Sequence, residues 1–183
     1  INMCKAYCSA KVFQKLILIS PTADTDLKYQ QLPLTETYTE YSDDLLDDLI
    51  NQQNADIMNW KDTDKQIKLY KKYMKKPNVR YSPTDIEQIY KMINPFGVLE
   101  EPSQQYDKIP YCCIILDDLG GTSAFRQGNN SLNSAVCKSR HYFINFMICV
   151  QHPYQCPRAV RSQLSHLIIL KNKDKKIMEE IAK

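Results

Sequence analysis

Two adjacent carboxylates follow an apolar run near the middle of the sequence. The run Tyr111–Leu116 leads directly into Asp117 and Asp118. This order predicts a Walker B motif, in which the first carboxylate holds Mg²⁺ through its water shell and the second activates the water that attacks a γ-phosphate. Paired aspartates also begin ordinary turns and helices, so the pair alone leaves a purely structural interpretation open.

A glutamine and an arginine lie downstream, where they could complete such a site. Gln151 ends the apolar run Phe143–Gln151, and Arg161 follows ten residues later. Because the carboxyl ends of parallel strands meet at one edge of a sheet, we expect Gln151 beside the acidic pair, in reach of a γ-phosphate or its attacking water. An exposed Arg161 would serve the nucleotide of a neighbouring subunit. The structural alternatives are a loop hydrogen bond for Gln151 and a surface salt bridge for Arg161.

Strand-sized apolar runs and helix-like stretches must position these side chains. The runs predicted as strands are Val12–Ser20, Tyr111–Leu116, Phe143–Gln151 and His166–Leu170. Helix-like stretches, Asn130–Arg140 and Pro157–Leu164, separate the last three, and a lysine-rich helix is predicted at the end of the chain. Near-continuous apolar strands that alternate with helices indicate a mainly parallel sheet covered by helices on both faces. The predicted fold class is therefore α/β.

Charge is unevenly distributed between the first two of these strands. From Glu36 to Asp56 there are seven acids and no base, and from Lys61 to Arg80 there are eight bases and two acids. Each block predicts a helix, the first capped by Ser42, and a third helix begins at Ser82-Pro83. The predicted buried positions of the second and third helices are Ile67, Tyr70, Met74, Ile86, Ile89, Tyr90 and Ile93. The lysine-rich block is typical of a solvated face, and phosphate contact is the alternative.

The composition excludes several classes of protein. The 183 residues are 43% hydrophobic and 25% charged, with a formal net charge of +3, which rules out a disordered tail or a fibrous repeat. No apolar run approaches the roughly 18 residues that span a bilayer, and Ile1–Lys5 lacks the order of a signal peptide.

Seven cysteines leave no complete disulfide framework, and Cys4 and Cys8 have no second pair at zinc-ligand spacing. We expect reduced, mostly buried thiols in an intracellular protein.

Most of the chain resembles a known family, the poxvirus-type genome-packaging ATPases of the FtsK/HerA superfamily. Their relatives occur in large DNA viruses, virophages and Polinton/Maverick elements. The segments that carry the resemblance are IILDDLG at Ile114–Gly120, SRHYFINFMICVQ at Ser139–Gln151, PRAVRSQ at Pro157–Gln163 and, upstream, LILISPTADTD at Leu16–Asp26. The segment from about Tyr38 to Gln105 resembles the family only in its helical character.

The resemblance implies a P-loop NTPase with a RecA/FtsK-like core and assigns roles by position. Asp117 becomes the Mg²⁺ ligand, Asp118 the catalytic carboxylate and Gln151 the sensor, and Arg161 becomes a trans-acting arginine. The implied cofactors are Mg²⁺ and ATP, and the implied partners are double-stranded DNA, further copies of the chain in a ring, and viral capsid or portal components. No membrane association is implied, and the expected location is intracellular, in the host cytoplasm, a virus factory or the virion. Residues 1–183 are expected to form one ATPase domain, with residues 37–105 as a helical insertion between strands.

The sequence departs from the family pattern in two ways. A P-loop requires G-x-x-x-x-G-K-[ST], and no glycine of this chain precedes a lysine. We therefore expect a chain truncated at its amino end, with the P-loop strand upstream of residue 1; the alternative is a subunit that kept the fold and lost catalysis. Gln163 stands where the family more often has asparagine.

The expected function is an ATPase that packages double-stranded DNA, and the alternatives are an inactive ring-scaffold or DNA-binding subunit, or another FtsK/HerA-type translocase.

Overall fold

A computed structural model describes residues 2–126 and 130–168 of the chain. The chain divides into two compact units. The sheet unit comprises residues 1–53 and 111–183, and the helical unit comprises residues 54–110. Residues 37 and 38, at the start of the expected helical insertion, belong to a strand of the sheet unit.

The sheet unit contains a four-stranded, all-parallel sheet in its described part. The strands are β1 (Lys15–Ile19), β2 (Glu36–Tyr38), β3 (Cys112–Asp117) and β4 (Ile144–Cys149), in the spatial order β2-β1-β3-β4. The register pairs Ile19 with Leu116 and Asp117 with Cys149. This sheet confirms the predicted α/β class. β1 and β4 are shorter than their apolar runs, whereas β3 has the predicted length and is shifted by one residue.

The two central strands are apolar along most of their length because both faces of the sheet are covered. On one face Cys4 of α1 (Asn2–Ser9) joins Leu16, Leu18 and Ile115 in a buried cluster. On the other face the buried cluster contains residues from three helices, α2 (Asp43–Lys75), α4 (Asn130–Lys138) and α5 (Arg158–Arg161). All five side chains of β1 are buried, so the strand cannot show the alternation of a half-exposed strand.

A single helix of 33 residues, α2, replaces the two helices predicted for the acidic and basic blocks. Its first turn is capped as predicted, since the Leu45 N–H donates to Ser42 Oγ at 3.0 Å. No glycine or proline interrupts residues 43–75, so the change from acidic to basic side chains does not end the helix. The helix stops just before Pro77, which cannot continue it.

The helical unit has a small core, and the prediction of its buried residues was wrong in part. Helix α3 (Pro83–Lys91) begins as predicted, because the Asp85 N–H donates to Ser82 Oγ at 3.1 Å. Only one side of α3 is covered. Its Ile89 and the adjacent Met92 form a buried cluster with Leu69 and Tyr81. Four positions predicted as buried are exposed instead: Met74 near the end of α2, Ile86 and Tyr90 on α3, and Ile93 just after it.

The last predicted strand is not found in the described residues. Residues 166–168 form no strand and are exposed, while residues 169 and 170 and the predicted lysine-rich helix lie outside the described part of the chain. The two predicted helices before it are present but shorter, as α4 and α5. Among the described residues, no helix combines the length and the apolar character needed to cross a membrane.

The six cysteines whose side chains are described form no disulfide with one another. Cys4, Cys112, Cys113 and Cys156 are buried, and Cys137 and Cys149 are exposed. Burial removes most of these thiols from contact with oxidants, in agreement with their assignment as reduced core residues.

Candidate active site

The carboxyl ends of β1 and β3 bring Ser20 and Asp117 to the same edge of the sheet. Ile19 pairs with Leu116 in the parallel register, so the next residue of each chain segment, Ser20 and Asp117, lies at the same level. Ser20 is fully buried, whereas the side chain of Asp117 is 20% exposed. The predicted position of Asp117, at the edge of a parallel sheet where ligands bind, is therefore found.

A buried tyrosine fixes one oxygen of the Asp117 carboxylate. The Tyr29 hydroxyl donates a hydrogen bond to Asp117 Oδ2 and lies 3.4 Å from Ser20 Oγ. Burial raises the pKa of Tyr29, and the hydrogen bond to Asp117 raises it further. Tyr29 thus remains a protonated donor at neutral pH and orients the carboxylate.

A lysine lies beside the same carboxylate oxygen. Lys28 Nζ is 3.4 Å from Asp117 Oδ2 and 2.8 Å from Asp26 Oδ2. The contact with Asp26 raises the pKa of Lys28, and the charge of Asp117 adds to this increase. In return, the Lys28 side chain lowers the pKa of Asp26. Lys28 is therefore charged at neutral pH, and Asp117 already has a positive neighbour.

Asp118 turns its carboxylate toward the other neighbouring strand. Its backbone has φ +56°, in the left-handed region, so the side chain does not continue the alternation of β3. The exposed Gln151 side chain donates from Nε2 to Asp118 Oδ1 at 3.1 Å. The two carboxylates thus have separate surroundings, Asp117 on the β1 side and Asp118 on the β4 side. The structure brings Asp117, Asp118 and Gln151 together as predicted, and their roles stay predictions.

A second glutamine, Gln155, links the loops that follow β3 and β4. Its Oε1 accepts hydrogen bonds from the backbone N–H groups of Gln151 at 3.0 Å and His152 at 3.1 Å. A Cβ placed on Gly120 would lie only 2.6 Å from Gln155 Nε2. Glycine at position 120 therefore allows the Gln155 amide to approach the acidic turn closely.

Sequence reasoning missed three residues of this site: Lys28, Tyr29 and Gln155. The first two follow β1 by several residues, in a segment that folds back over the sheet edge. The one available signal for Gln155 was the pair Gly120-Gly121 directly after Leu119, since adjacent glycines indicate a close approach of other groups. The contacts of Lys28, Tyr29 and Gln155 depend on the tertiary fold, so they produce no periodic pattern in the sequence.

Arg161 lies on the short helix α5, and no contact joins it to the acidic pair among the described residues. Its side chain is exposed. The ion pairs of the described part of the chain do not include it, so the surface salt bridge considered as the structural alternative is not found there. Burial raises the pKa of the neighbouring Cys156, and the Arg161 guanidinium partly offsets this.

The oxygen donors at Asp117 suit a hard divalent cation such as Mg²⁺. No partner of Asp117 Oδ1 is found in the described residues, and Oδ2 already faces the positive charge of Lys28. No three His, Cys, Asp or Glu side chains of the described residues converge on one point. A bound Mg²⁺ would therefore depend on Asp117 together with water and substrate oxygens, which is a common arrangement for this ion.

The sequence lacks the motif that binds the phosphates of ATP in P-loop proteins. The 183 residues contain no G-x-x-x-x-G-K-[ST] segment, whose backbone amides and lysine bind the β- and γ-phosphates. The described residues thus place two carboxylates at this edge of the sheet, and the 183 residues contain no P-loop segment beside them.

A cleft of about 460 Å³ opens at the same edge of the sheet, on the β2 side. Residues that follow β1, β2 and β3 line it: Pro21, Thr39, Glu40, Tyr41, Leu119, Thr122 and Ser123. The residues that line it include four with hydroxyl groups and one with a carboxylate, Glu40.

No family model matches the chain, and no curated protein or solved structure matches it either.

Proposed function

We propose that this protein is the ATPase motor that packages viral double-stranded DNA into capsids, coupling hydrolysis of Mg-ATP to DNA translocation. The observation that carries the proposal is the hydrogen bond from Gln151 to Asp118, next to Asp117 at the carboxyl edge of a parallel sheet. The proposal also depends on the resemblance of Tyr111–Asn172 to the poxvirus-type packaging ATPases.

Each residue of the site has a distinct part in this proposal. Asp117 holds Mg²⁺, with its carboxylate oriented by Tyr29. Asp118 is exposed and accepts a proton from a water molecule, and Gln151 positions the Asp118 carboxylate and that water. Mg²⁺ supplies positive charge for phosphate oxygens when it is bound.

The proposed function also involves contacts with other molecules, including a contact of Arg161 with a neighbouring subunit. An exposed guanidinium without an ion pair in the described residues is free to reach a neighbouring subunit, which supports a ring in which Arg161 acts in trans. The proposed partners are double-stranded DNA, further copies of the chain, and capsid or portal components. The proposed location is the host cytoplasm, a virus factory or the virion.

A second candidate function is a ring-scaffold or DNA-binding subunit without turnover. One observation favours it: the surplus of bases in residues 61–80. Within the described residues, five of these bases are exposed and have no ion pair: Lys61, Lys72, Lys75, Lys76 and Arg80. Such side chains can contact DNA phosphates. Another FtsK/HerA-type DNA translocase is a further alternative, because the acidic pair and the sensor are widely shared.

Sequencing the codons upstream of Ile1, followed by an ATPase assay, tests the proposal. A motor requires a Gly-x-x-x-x-Gly-Lys-Ser/Thr segment upstream, and protein extended to include it should release phosphate in the presence of Mg²⁺. The 183-residue chain should not hydrolyse ATP at an appreciable rate, and an extended Asp118→Asn variant is the matched control. An upstream sequence without this motif, or an extended protein without turnover, would contradict the motor and favour the scaffold.

A further inference from the structure

The ammonium group of Lys28 lies where a divalent cation would approach Asp117. We propose that Lys28 is a tethered counter-ion, which neutralises Asp117 in the absence of metal and must move away before a divalent cation binds there. This inference rests on the proposed function only in taking Asp117 as a metal ligand. It assigns a new role to Lys28, as a residue that sets the affinity of the site for metal.

The distances show which of the two contacts of Lys28 is easier to break. Lys28 Nζ lies 2.8 Å from Asp26 Oδ2, within hydrogen-bond distance, but 3.4 Å from Asp117 Oδ2. The side chain of Lys28 is 41% exposed and that of Asp26 is 34% exposed. Lys28 can therefore leave Asp117 while it keeps Asp26 as a partner, and water can replace the lost contact.

Tyr29 acts on the same carboxylate without competing for it. Its hydroxyl is neutral and donates to Asp117 Oδ2, whereas Oδ1 has no partner in the described residues. A neutral donor does not repel a cation bound at the other oxygen, but an ammonium close to the same carboxylate does. Tyr29 is therefore a positioning residue for Asp117, and Lys28 is the competitor of the metal.

Direct binding of Mn²⁺ to the 183-residue chain tests this inference without nucleotide or turnover. Electron paramagnetic resonance measures the free Mn²⁺ concentration during a titration, for the wild type and for Lys28→Met, Lys28→Arg and Asp117→Asn. Lys28→Met should bind Mn²⁺ about tenfold more tightly, the order expected when one nearby like charge is removed at a partly exposed site. Lys28→Arg keeps the charge and should resemble the wild type.

A matched control comes from an ion pair far along the chain. Lys65 lies 3.1 Å from Asp62 in α2, so Lys65→Met also removes one positive charge from an aspartate. Its Mn²⁺ affinity should equal that of the wild type. Lys28→Gln is a second neutral variant, in case Lys28→Met does not fold, and circular dichroism checks the fold of each variant.

Each result separates the inference from the proposed function. Loss of Mn²⁺ binding in Asp117→Asn, with no gain in either neutral Lys28 variant, overturns the role of Lys28 and leaves Asp117 as the metal ligand. Unchanged binding in Asp117→Asn overturns Asp117 as the ligand, and both proposals with it. A gain in Lys28→Met that persists in the double variant Lys28→Met/Asp117→Asn, or an absence of binding in all proteins, also overturns the inference.

Discussion

The side-chain amide of Gln151 lies 3.1 Å from Oδ1 of Asp118, although the two residues are 33 positions apart in the sequence. The contact joins the loops that follow β3 and β4, because these neighbouring strands are parallel and end at the same edge. It leaves Asp117 on the opposite side of the turn, with Tyr29 and Lys28. The two carboxylates can therefore be changed separately.

We expect different defects from Asp117→Asn and Asp118→Asn in protein that carries a P-loop segment. Asp118→Asn should still bind Mg-ATP but lower turnover by about a hundredfold or more, as the loss of a general base typically does. Asp117→Asn should weaken binding of the Mg-nucleotide itself. Titration with a fluorescent ATP analogue and a phosphate-release assay measure the two effects. Equal losses of binding in the two variants would show that these roles are wrongly assigned.

We expect Arg161→Ala to act across a subunit boundary. In the same extended protein, this variant should bind ATP and assemble but hydrolyse poorly, because a trans-acting arginine contributes about 10³–10⁵ in rate where one is used. Mixing it with Asp118→Asn protein should restore part of the activity, since some interfaces then combine an intact arginine with an intact carboxylate. Native mass spectrometry confirms that mixed rings form. Mixed rings without any turnover would remove Arg161 from the site.

We expect Gly120→Ala to release Gln155 from the loop after β4. The new Cβ would lie 2.6 Å from Gln155 Nε2, at the end of a flexible side chain that can move away at small cost in stability. The N–H groups of Gln151 and His152 then lose their acceptor, and their hydrogen exchange, followed by NMR, should become several-fold faster.

Gln155→Ala is the matched variant for this prediction. It removes the same acceptor, so it should produce the same exchange rates as Gly120→Ala. The double variant should be no faster than either single variant, because both changes break the same contact. Additive effects would mean that Gly120 acts on the loop by another route.

We expect Tyr29→Phe to destabilise the sheet unit by about 1–3 kcal/mol, because Asp117 then loses a hydrogen bond from a buried donor. Urea unfolding followed by circular dichroism measures the change in the free energy of unfolding. Tyr7→Phe is the control, since Tyr7 is 41% exposed and its hydroxyl makes no hydrogen bond to another described residue. Similar stabilities for Tyr29→Phe and the wild type would rule out a strong contribution of this hydrogen bond.

The sequence predicts the sheet and the acidic pair because both follow from simple patterns. A strand buried on both faces must be apolar throughout, and β3 satisfies this up to the residue before Asp117. Gln151 could be placed beside the pair because parallel strands share one carboxyl edge. These inferences need only periodicity and topology.

The contacts made by loops could not be predicted in the same way. Lys28 and Tyr29 reach Asp117 because the segment after β1 folds back, and no local pattern specifies which of its side chains point inward. The burial of α3 was overestimated for a related reason, since an apolar face in the sequence does not reveal whether a partner covers it. Which faces of a helix are covered is determined by the tertiary fold.

The left-handed backbone at Asp118 also limits which acid can occupy this position. Aspartate and asparagine tolerate φ near +56° better than most residues, because their short polar side chains can bond to the local backbone. Many enzymes use glutamate as the second acid of this motif, but here the longer side chain tolerates this backbone conformation less well, and we expect the turn to rearrange. Asp118→Glu thus keeps the charge but disfavours the left-handed backbone conformation at this position. Asp118→Asn keeps the conformation and removes only the charge.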